Sequence, residues 1–133
     1  MKHKSGEVIN NIIIGHTGYI GSLLTNKLCE KNNGLTLGIS RTKVNSINKY
    51  NLTEFYCDIF KNELNFDYIL KQRPIVYITA HNFKTNFFSK RESLLNIYLS
   101  QINFYKILIK NLKKLNPKKI VFLSSSGSLY KDT

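Results

Sequence analysis

The sequence has only two cysteines, Cys29 and Cys57, and they are well separated along the chain. Neither thiol belongs to a spacing that binds metal, and two distant cysteines do not form a disulfide framework. A metal centre built on cysteine ligands and a disulfide-stapled scaffold are therefore excluded. We expect both thiols to act as small buried hydrophobic side chains.

Long apolar runs are also missing. No segment approaches the ~20 apolar residues that a membrane-spanning helix needs. The first residues, MKHKSGEVINNIIIG, place basic residues before an apolar run that is shorter than the core of a signal peptide, and no small-residue cleavage site follows. We therefore predict a cytoplasmic protein without a membrane partner.

Acidic residues are scarce, with 8 Asp and Glu against 20 Lys and Arg and a formal net charge of +12. This balance raises the hypothesis of a basic nucleic-acid-binding protein. The lysines are scattered from Lys2 to Lys131, however, and no motif typical of RNA or DNA binding accompanies them. The densest group of lysines, from Lys106 to Lys119, lies on the end of a long helical pattern and just after it, where cations complement the helix dipole. We favour a solvated basic face over a nucleic-acid partner.

The apolar residues that are present alternate between strand-like and helix-like patterns. Apolar and β-branched runs predict buried strands at residues 8–14, 35–39, 52–57, 74–80 and 119–124. Helical periodicity is strong at residues 20–31 and 92–115 and weak at residues 62–72. This alternation predicts a single α/β domain over residues 1–133, with a parallel sheet and helices on both faces.

Both strong helical patterns carry a packing expectation. In the first pattern, Ile20, Leu23, Leu24 and Leu28 fall on one stripe, which we expect to pack against the sheet. The second pattern has more apolar positions than one face of a helix can hold. We therefore expect the long helix to need a partner besides the sheet.

The segment IIIGHTGYIGSLL places three glycines between the first strand and the first helix. Gly15 permits a tight turn, Gly18 lets the backbone approach a pyrophosphate, and Gly21 allows the helix and the strand to pack closely. The N–H groups at the start of the helix favour an anion there. The pattern predicts a nucleotide-binding turn, with a purely structural turn as the alternative. We expect His16 to be an exposed loop histidine rather than a phosphate ligand.

The spacing G-x-x-G-x-x-G within GHTGYIG resembles that of the extended short-chain dehydrogenase/reductase family, which includes NAD(P)-dependent nucleotide-sugar epimerases, dehydratases and reductases. The resemblance extends from Ile12 to about Tyr130. It implies a Rossmann-type parallel sheet of about five strands, truncated before the later strands of the family. It also implies cofactor contacts from the turn residues Gly15, Thr17, Gly18, Tyr19, Ile20 and Gly21.

Further segments resemble this family in the expected order. By resemblance, Asp58 in CDIF accepts a hydrogen bond from the adenine amino group, and Ile59 lies beside the ring. Ala80 in VYITAHN lies against the cofactor, and Asn103 matches an asparagine usual in the long helix. Ser126 in LSSSGSLY corresponds to the catalytic serine. Structural alternatives stay open, with Asp58 as the cap of the following turn and the serines as a polar strand end.

The end of the second strand bears on the choice of cofactor. NAD binders normally carry an acidic residue about 20 positions beyond the glycines, whereas an arginine there accommodates the extra phosphate of NADP. This sequence reads GISRTK, in which Ser40, Arg41 and Lys43 offer a hydroxyl donor, a bidentate fork and a point charge. NADP is therefore favoured over NAD, and the alternative is that Arg41 is an ordinary surface residue.

The pair of residues that transfers protons in this family is missing from the sequence. Family members use Tyr-x-x-x-Lys, and no tyrosine among the 133 residues has a lysine four positions later. Loss of a general acid/base commonly removes ~10² to 10⁴ of rate. We therefore expect a chain that binds the adenine half of a dinucleotide and is inactive alone.

The leading hypothesis is an NAD(P)-binding N-terminal portion of a nucleotide-sugar epimerase, dehydratase or reductase, with a nucleotide sugar as substrate of the full-length enzyme. A non-catalytic dinucleotide-binding module is the alternative, and a basic nucleic-acid-binding protein is less favoured. Family members pack the long helix in a dimer interface, which implies a homo-oligomer formed through the helix around residues 92–115. The fifth strand is expected to be an uncovered edge.

Overall fold

The computed structural model describes residues 8–31, 34–43, 51–65, 72–80 and 94–123. These residues form one parallel sheet of five strands in the order β3-β2-β1-β4-β5. The elements in chain order are β1 (Ile9–Ile14), α1 (Tyr19–Glu30), β2 (Leu35–Ser40), β3 (Leu52–Tyr56), β4 (Ile75–Ile78), α2 (Leu94–Leu115) and β5 (Lys119–Phe122). The predicted α/β class and parallel sheet of about five strands are confirmed.

The strand order reverses direction beside β1. The chain moves outward from β1 through β2 to β3, and β4 then pairs with the opposite side of β1. Loops that leave β1 and β4 therefore diverge, and in open parallel sheets this point forms a crevice at the carboxyl ends of the strands. The backbone N–H of Thr79, just after β4, donates to the carbonyl oxygen of Ile14 at 2.9 Å. That bond holds the two strand ends together at the crevice.

The hydrophobic core lies between the sheet and α2. Alternate strand residues, including Ile12 and Ile14 of β1, are buried in one cluster with Leu108, Leu112 and Leu115 of α2. Ile13 is also fully buried but lies outside that cluster, as expected for the opposite face of the strand. Crossovers between parallel strands are nearly always right-handed. The β1–β2 and β4–β5 crossovers run in opposite directions across the sheet, so α1 and α2 are expected on opposite faces, in agreement with the prediction.

The packing of α1 differs from the predicted apolar stripe. The buried residues of this helix are Gly21, Thr25 and Cys29, whereas Ile20 and Leu23 are 53% and 52% exposed. The reason is the short distance between α1 and the preceding turn, since a Cβ on residue 21 would lie 1.9 Å from the carbonyl oxygen of Gly15. Only small side chains one and two turns further along fit beneath so close a contact. Leu24 and Leu28 of the predicted stripe are half-buried at its margin.

The connection after β3 also differs from its prediction. The weak helical pattern over residues 62–72 left this crossover poorly specified, and residues 62–65 are not helical. They follow a tight turn in which the carbonyl oxygen of Asp58 accepts the N–H groups of Lys61 and Asn62 at 3.1 and 2.9 Å. Residues 66–71 of that pattern lie outside the described residues.

Helix α2 ends at a left-handed residue, because Asn116 has a φ of 45° before Pro117. One face of the helix is buried, and another exposes apolar side chains, as the two-sided pattern predicted. The exposed residues are Leu95, Tyr98, Leu99 and Ile109. Within the described residues β5 is an edge strand, and Ile120 and Phe122 are each 46% exposed.

The two cysteines differ in burial. Cys29 is buried as expected, whereas Cys57 is only partly buried and packs against the hydrophobic core. Among the described residues, neither helix has the length and apolar character to span a bilayer, and no cluster of His, Cys, Asp and Glu could hold a metal ion.

Candidate functional site

An open cavity of about 250 Å³ lies at the carboxyl end of the sheet, in the crevice between the diverging loops. Its walls come from the glycine turn, the end of β2, the loop after β3 and the end of β4. Eight of the residues predicted to bind a cofactor line this cavity. They are Gly15, Thr17, Gly18, Ser40, Arg41, Asp58, Ile59 and Ala80.

Two of the three glycines are required by the fold itself. Gly15 has a φ of +88°, and a Cβ there would lie 2.7 Å from the Cβ of Ala80. Its N–H donates to the carbonyl oxygen of Ile39 at 2.7 Å, so the turn begins as a continuation of the sheet. Gly21 is where α1 crosses Gly15, and any side chain would overlap that backbone. Both positions need glycine with or without a ligand.

Gly18 is different because no described residue requires its lack of a side chain. Its φ of −73° suits any residue, and an added Cβ would meet only the carbonyl oxygen of Gly15, at 3.4 Å. It is the N-cap of α1, and no side chain caps the helix or places an acid in its first turn. The first N–H groups of a helix have no acceptor within the helix and carry a partial positive charge. The arrangement can therefore receive an anion against the main chain.

Tyr19, Ile20 and Gly21 do not line the cavity, although all three were predicted to contact a cofactor. Tyr19 is 84% exposed and Ile20 is 53% exposed. As the first two residues of α1, they present main-chain N–H groups at the end of the helix that faces the glycine turn.

His16 is buried, and the expectation of an exposed loop histidine is wrong. Its side chain has no exposed surface, and its Nε2 atom lies 3.0 Å from Oε1 of Glu54 on β3. Room for the imidazole comes from Gly38 of β2, where an added Cβ would lie 2.4 Å from the Cγ atom of His16. A glycine in the middle of a buried strand marks such a close approach, and it is the signal in the sequence from which this contact could have been predicted.

The wall at the end of β2 is basic. Ser40 is buried, and its hydroxyl donates to the carbonyl oxygen of Thr42 at 2.9 Å, which shapes the turn that follows the strand. Arg41 is exposed at the rim of the cavity, and Lys43 is exposed beyond it. Residues 40–43 include no carboxylate, so this wall favours a negatively charged group.

The wall after β3 is a turn capped by Asp58. One carboxylate oxygen of Asp58, Oδ1, accepts the backbone N–H of Phe60 at 3.2 Å. The structural alternative for this residue is therefore observed, and Asp58 lines the cavity as well. Next to it, burial and then the negative charge of Asp58 raise the pKa of the Cys57 thiol, which also lines the cavity.

Asn111 of α2 fixes this turn and was missed by sequence reasoning. It has no exposed surface, and its Nδ2 donates to the carbonyl oxygens of Ile59 and Asn62 at 2.9 and 2.8 Å. Its Oδ1 accepts the N–H of Leu64 at 2.8 Å. The available signal was an asparagine on the same helix face as Leu108, Leu112 and Leu115. Asn103, to which the resemblance drew attention, is exposed.

An ion pair next to Asn111 adds a second link between α2 and this turn. Lys114 Nζ lies 2.6 Å from Oε1 of Glu63, and Lys110 lies 3.7 Å from the same oxygen. The hydrogen bond from Lys114, followed by the charge of Lys110, lowers the pKa of Glu63.

Residues just after β4 form the remaining wall of the cavity. Thr79 Oγ1 donates to the carbonyl oxygens of Ile14 and Gly15, at 2.8 and 3.1 Å, and the neighbouring Ala80 packs against Gly15. The predicted catalytic residue, Ser126, lies outside the described residues.

The model of the NAD dependent epimerase/dehydratase family matches residues 11–132. The chain belongs to this family. It is accordingly an NAD(P)-binding domain of the epimerase/dehydratase type, and the resemblance to extended short-chain dehydrogenases/reductases is confirmed. Searches of curated proteins and of solved structures found no match.

Proposed function

We propose that the chain binds NADP(H) in the cavity through the adenosine diphosphate half, as the N-terminal portion of a nucleotide-sugar epimerase, dehydratase or reductase. One observation carries this proposal: three different walls meet around one crevice. They are the start of α1 at Gly18, the basic end of β2, and the turn capped by Asp58. Each wall suits a different chemical group of the cofactor, and the three occur in the order in which those groups are joined.

The diphosphate belongs at the glycine turn. The open space at Gly18 lets main-chain N–H groups of the first turn of α1 contact phosphate oxygens directly. A Cβ at this position would occupy that space and would meet only the carbonyl oxygen of Gly15 among the described residues. Support for the assignment therefore comes from a glycine that packing does not explain.

The ribose with its extra phosphate belongs at the end of β2. Arg41 offers two parallel N–H donors to a phosphate, and Lys43 adds positive charge nearby. The hydroxyl proton of Ser40 is already donated to Thr42, which leaves the serine oxygen as an acceptor. Because no carboxylate is present to take the ribose hydroxyls, the wall favours NADP over NAD.

The adenine ring belongs beside the turn after β3. The Oδ1 atom of Asp58 is used by the N–H of Phe60, and its second oxygen is left to accept from the exocyclic amino group of adenine. Ile59 supplies apolar surface beside the ring. Capping and adenine binding are thus compatible roles for Asp58.

Bound nicotinamide would supply hydride transfer, and Ser126 is the residue of this chain that we assign to the substrate side. The tyrosine and lysine that complete the proton-transfer machinery in this family are not among the 133 residues. We therefore expect nucleotide binding with negligible turnover. A non-catalytic dinucleotide-binding module is a second candidate, favoured by the same missing pair. Sequencing the coding DNA past Thr133 for a Tyr-x-x-x-Lys segment separates the two.

Helix α2 is proposed as the contact between two copies of the chain. Its exposed face carries Leu95, Tyr98, Leu99 and Ile109, a set that is costly to leave in water. Sedimentation analysis tests this assembly, and a monomer at high concentration would contradict it.

Titration of the 133-residue protein with NADPH and with NADH, followed by cofactor fluorescence, tests the proposed function. We expect saturable binding of both, with NADPH the tighter ligand. Equal affinities would contradict the assignment of the β2 wall, and binding of neither would overturn the proposed function.

A further inference from the structure

The glycine turn is tied to a strand that it does not adjoin. His16 follows Gly15 in the turn between β1 and α1, and its Nε2 atom lies 3.0 Å from Oε1 of Glu54. Glu54 is on β3, and the whole width of β2 separates it from β1. The imidazole crosses β2 above Gly38, the residue that pairs with Glu54 in register. The His16 side chain thus lies over β2 and links the turn to β3, an edge strand of the sheet that the described residues form.

Packing above Gly38 alone would favour an apolar side chain over the imidazole of His16. The Nδ1 atom of His16 is buried and has no hydrogen-bond partner among the described residues. Burying an unpaired polar atom costs free energy, and a leucine above Gly38 would fill a similar volume without that cost. The space above Gly38 therefore does not itself call for a histidine, and what distinguishes His16 from an apolar residue is the hydrogen bond between its Nε2 atom and Glu54.

The carboxylate that receives the imidazole is itself held in place. One oxygen of Glu54 faces His16, and the other accepts the hydroxyl of Tyr56 on the same strand. The side chain of Glu54 is 19% exposed, so water weakens these bonds only in part. The carboxylate on β3 that bonds to His16 is thus held in a fixed position.

We propose that the His16–Glu54 hydrogen bond positions the glycine turn for a diphosphate, which makes His16 a positioning residue for nucleotide affinity. This inference rests on the proposed function of the cavity. The residues on either side, Gly15 and Thr17, line the cavity, whereas His16 does not. With the imidazole fixed, the main chain of the turn is ordered before a ligand arrives, and binding loses less conformational entropy.

The test compares ligands that do and do not reach the turn. NADPH and ADP carry a diphosphate, whereas adenosine carries only the ribose and the adenine, which we assign to the end of β2 and the turn after β3. In His16→Leu we expect ADP and NADPH to bind about tenfold more weakly, the loss that corresponds to one charge-assisted hydrogen bond. Adenosine affinity should stay within about twofold of wild type. The melting temperature should fall, because removal of the unpaired Nδ1 atom does not offset the loss of a partner for the mostly buried Glu54 carboxylate. Binding is therefore measured well below the melting temperature of the variant.

A second variant keeps the inference testable if His16→Leu does not fold. Glu54→Gln preserves shape and an acceptor oxygen but removes the charge, so ADP affinity should fall by a smaller factor. Glu30→Gln, at an exposed site near the end of α1, makes the same charge change and should leave every affinity unchanged.

The possible results are distinct. Unchanged ADP affinity in folded His16→Leu, with normal binding by wild type, overturns this inference and leaves the proposed function standing. An equal loss of ADP and adenosine affinity assigns His16 a structural role only, and also overturns it. A wild-type protein that binds neither NADPH nor ADP overturns the proposed function itself.

Discussion

The side-chain oxygen of Asn111 accepts the backbone N–H of Leu64 at 2.8 Å, although the two residues lie 47 positions apart. The same carboxamide holds two carbonyl oxygens of the turn that forms one wall of the cavity. α2 therefore determines where that wall lies, and a change in the core of the helix is expected to reach the binding site.

Replacement of Asn111 tests this link. Asn111→Leu leaves two buried main-chain groups and the partly buried carbonyl of Asn62 without their partners, so we expect the unfolding free energy to fall by about 3 kcal/mol. Asn111→Asp keeps the acceptor for Leu64 but places a buried carboxylate against two carbonyl oxygens, so its loss should be at least as large. Urea denaturation gives the values. Asn103→Leu and Asn103→Asp, on an exposed position of α2, are the matched controls, and equal losses at both positions would contradict the assigned role.

The glycines of the turn should respond differently to alanine. Gly21→Ala forces a Cβ into the Gly15 carbonyl, which should cost ~3 kcal/mol or more because backbone must move. Gly18→Ala has a permitted φ and only an ordinary contact, so its stability should stay within ~1 kcal/mol of wild type. Thermal unfolding monitored by circular dichroism compares them, and similar melting temperatures for the two variants would refute the distinction.

Arg41 should discriminate between the two cofactors. Arg41→Ala removes a bidentate donor from a phosphate that only NADPH carries, so NADPH affinity should fall about 10- to 100-fold. NADH affinity should change by less than about twofold. Fluorescence titration measures both. Lys106→Ala removes the same charge from an exposed site on α2 and controls for net charge, and a parallel loss of both cofactors in Arg41→Ala would exclude a specific phosphate contact.

Cys57 reports on occupation of the cavity. Burial and the charge of Asp58 raise the pKa of its thiol, so only a small thiolate fraction is present near neutral pH and alkylation by iodoacetamide should be slow. In a Cys29→Ala background, Asp58→Asn should lower this pKa and speed the reaction several-fold. NADPH should slow labelling of the otherwise unchanged Cys29→Ala protein, as followed by mass spectrometry. Labelling that is indifferent to a saturating ligand would place the ligand elsewhere.

Tyr56 should remain protonated to unusually high pH. Burial, followed by the hydrogen bond and charge of Glu54, raises the pKa of Tyr56 to about 12. A raised pKa means that folding favours the protonated phenol, so its contribution to stability is complete below about pH 10 and is lost as pH rises toward 12. NMR of ring-labelled tyrosine can follow this ionisation, and Glu54→Gln should lower the pKa. An unchanged value in that variant would show that Glu54 does not interact with the phenol.

Much of the architecture followed from local patterns. The β-branched run before the glycines predicted a buried strand. The alternation of such runs with helical patterns predicted parallel strands joined by crossover connections. Element bounds were therefore close at β1, β2 and α1. The weak pattern after Asp58 failed at residues 62–65, because hydrogen bonds from a helix 47 positions away fix that chain in an irregular path.

The sequence predicted the residues whose main chain forms the site, but it did not predict the side chains that hold this main chain in place. The sequence indicated the turn through Gly15, Gly18 and Gly21, because glycines at this spacing between a strand and a helix are typical of nucleotide-binding turns. The burial of His16 depends on room left by Gly38 on a neighbouring strand, and the role of Asn111 depends on a turn distant in sequence. Such contacts depend on which strands are neighbours, which local periodicity does not encode.

Calorimetric titration of NADPH into wild type and into Gly18→Val tests the central claim most directly, because this is the glycine of the turn that no described residue requires. Binding heat with wild type should be lost or weakened by at least about tenfold in the variant. The melting temperature should fall only slightly, because valine is a poorer N-cap residue than glycine. Equal affinity for the two proteins, or no heat with wild type, would contradict a diphosphate seated on the main chain of the turn.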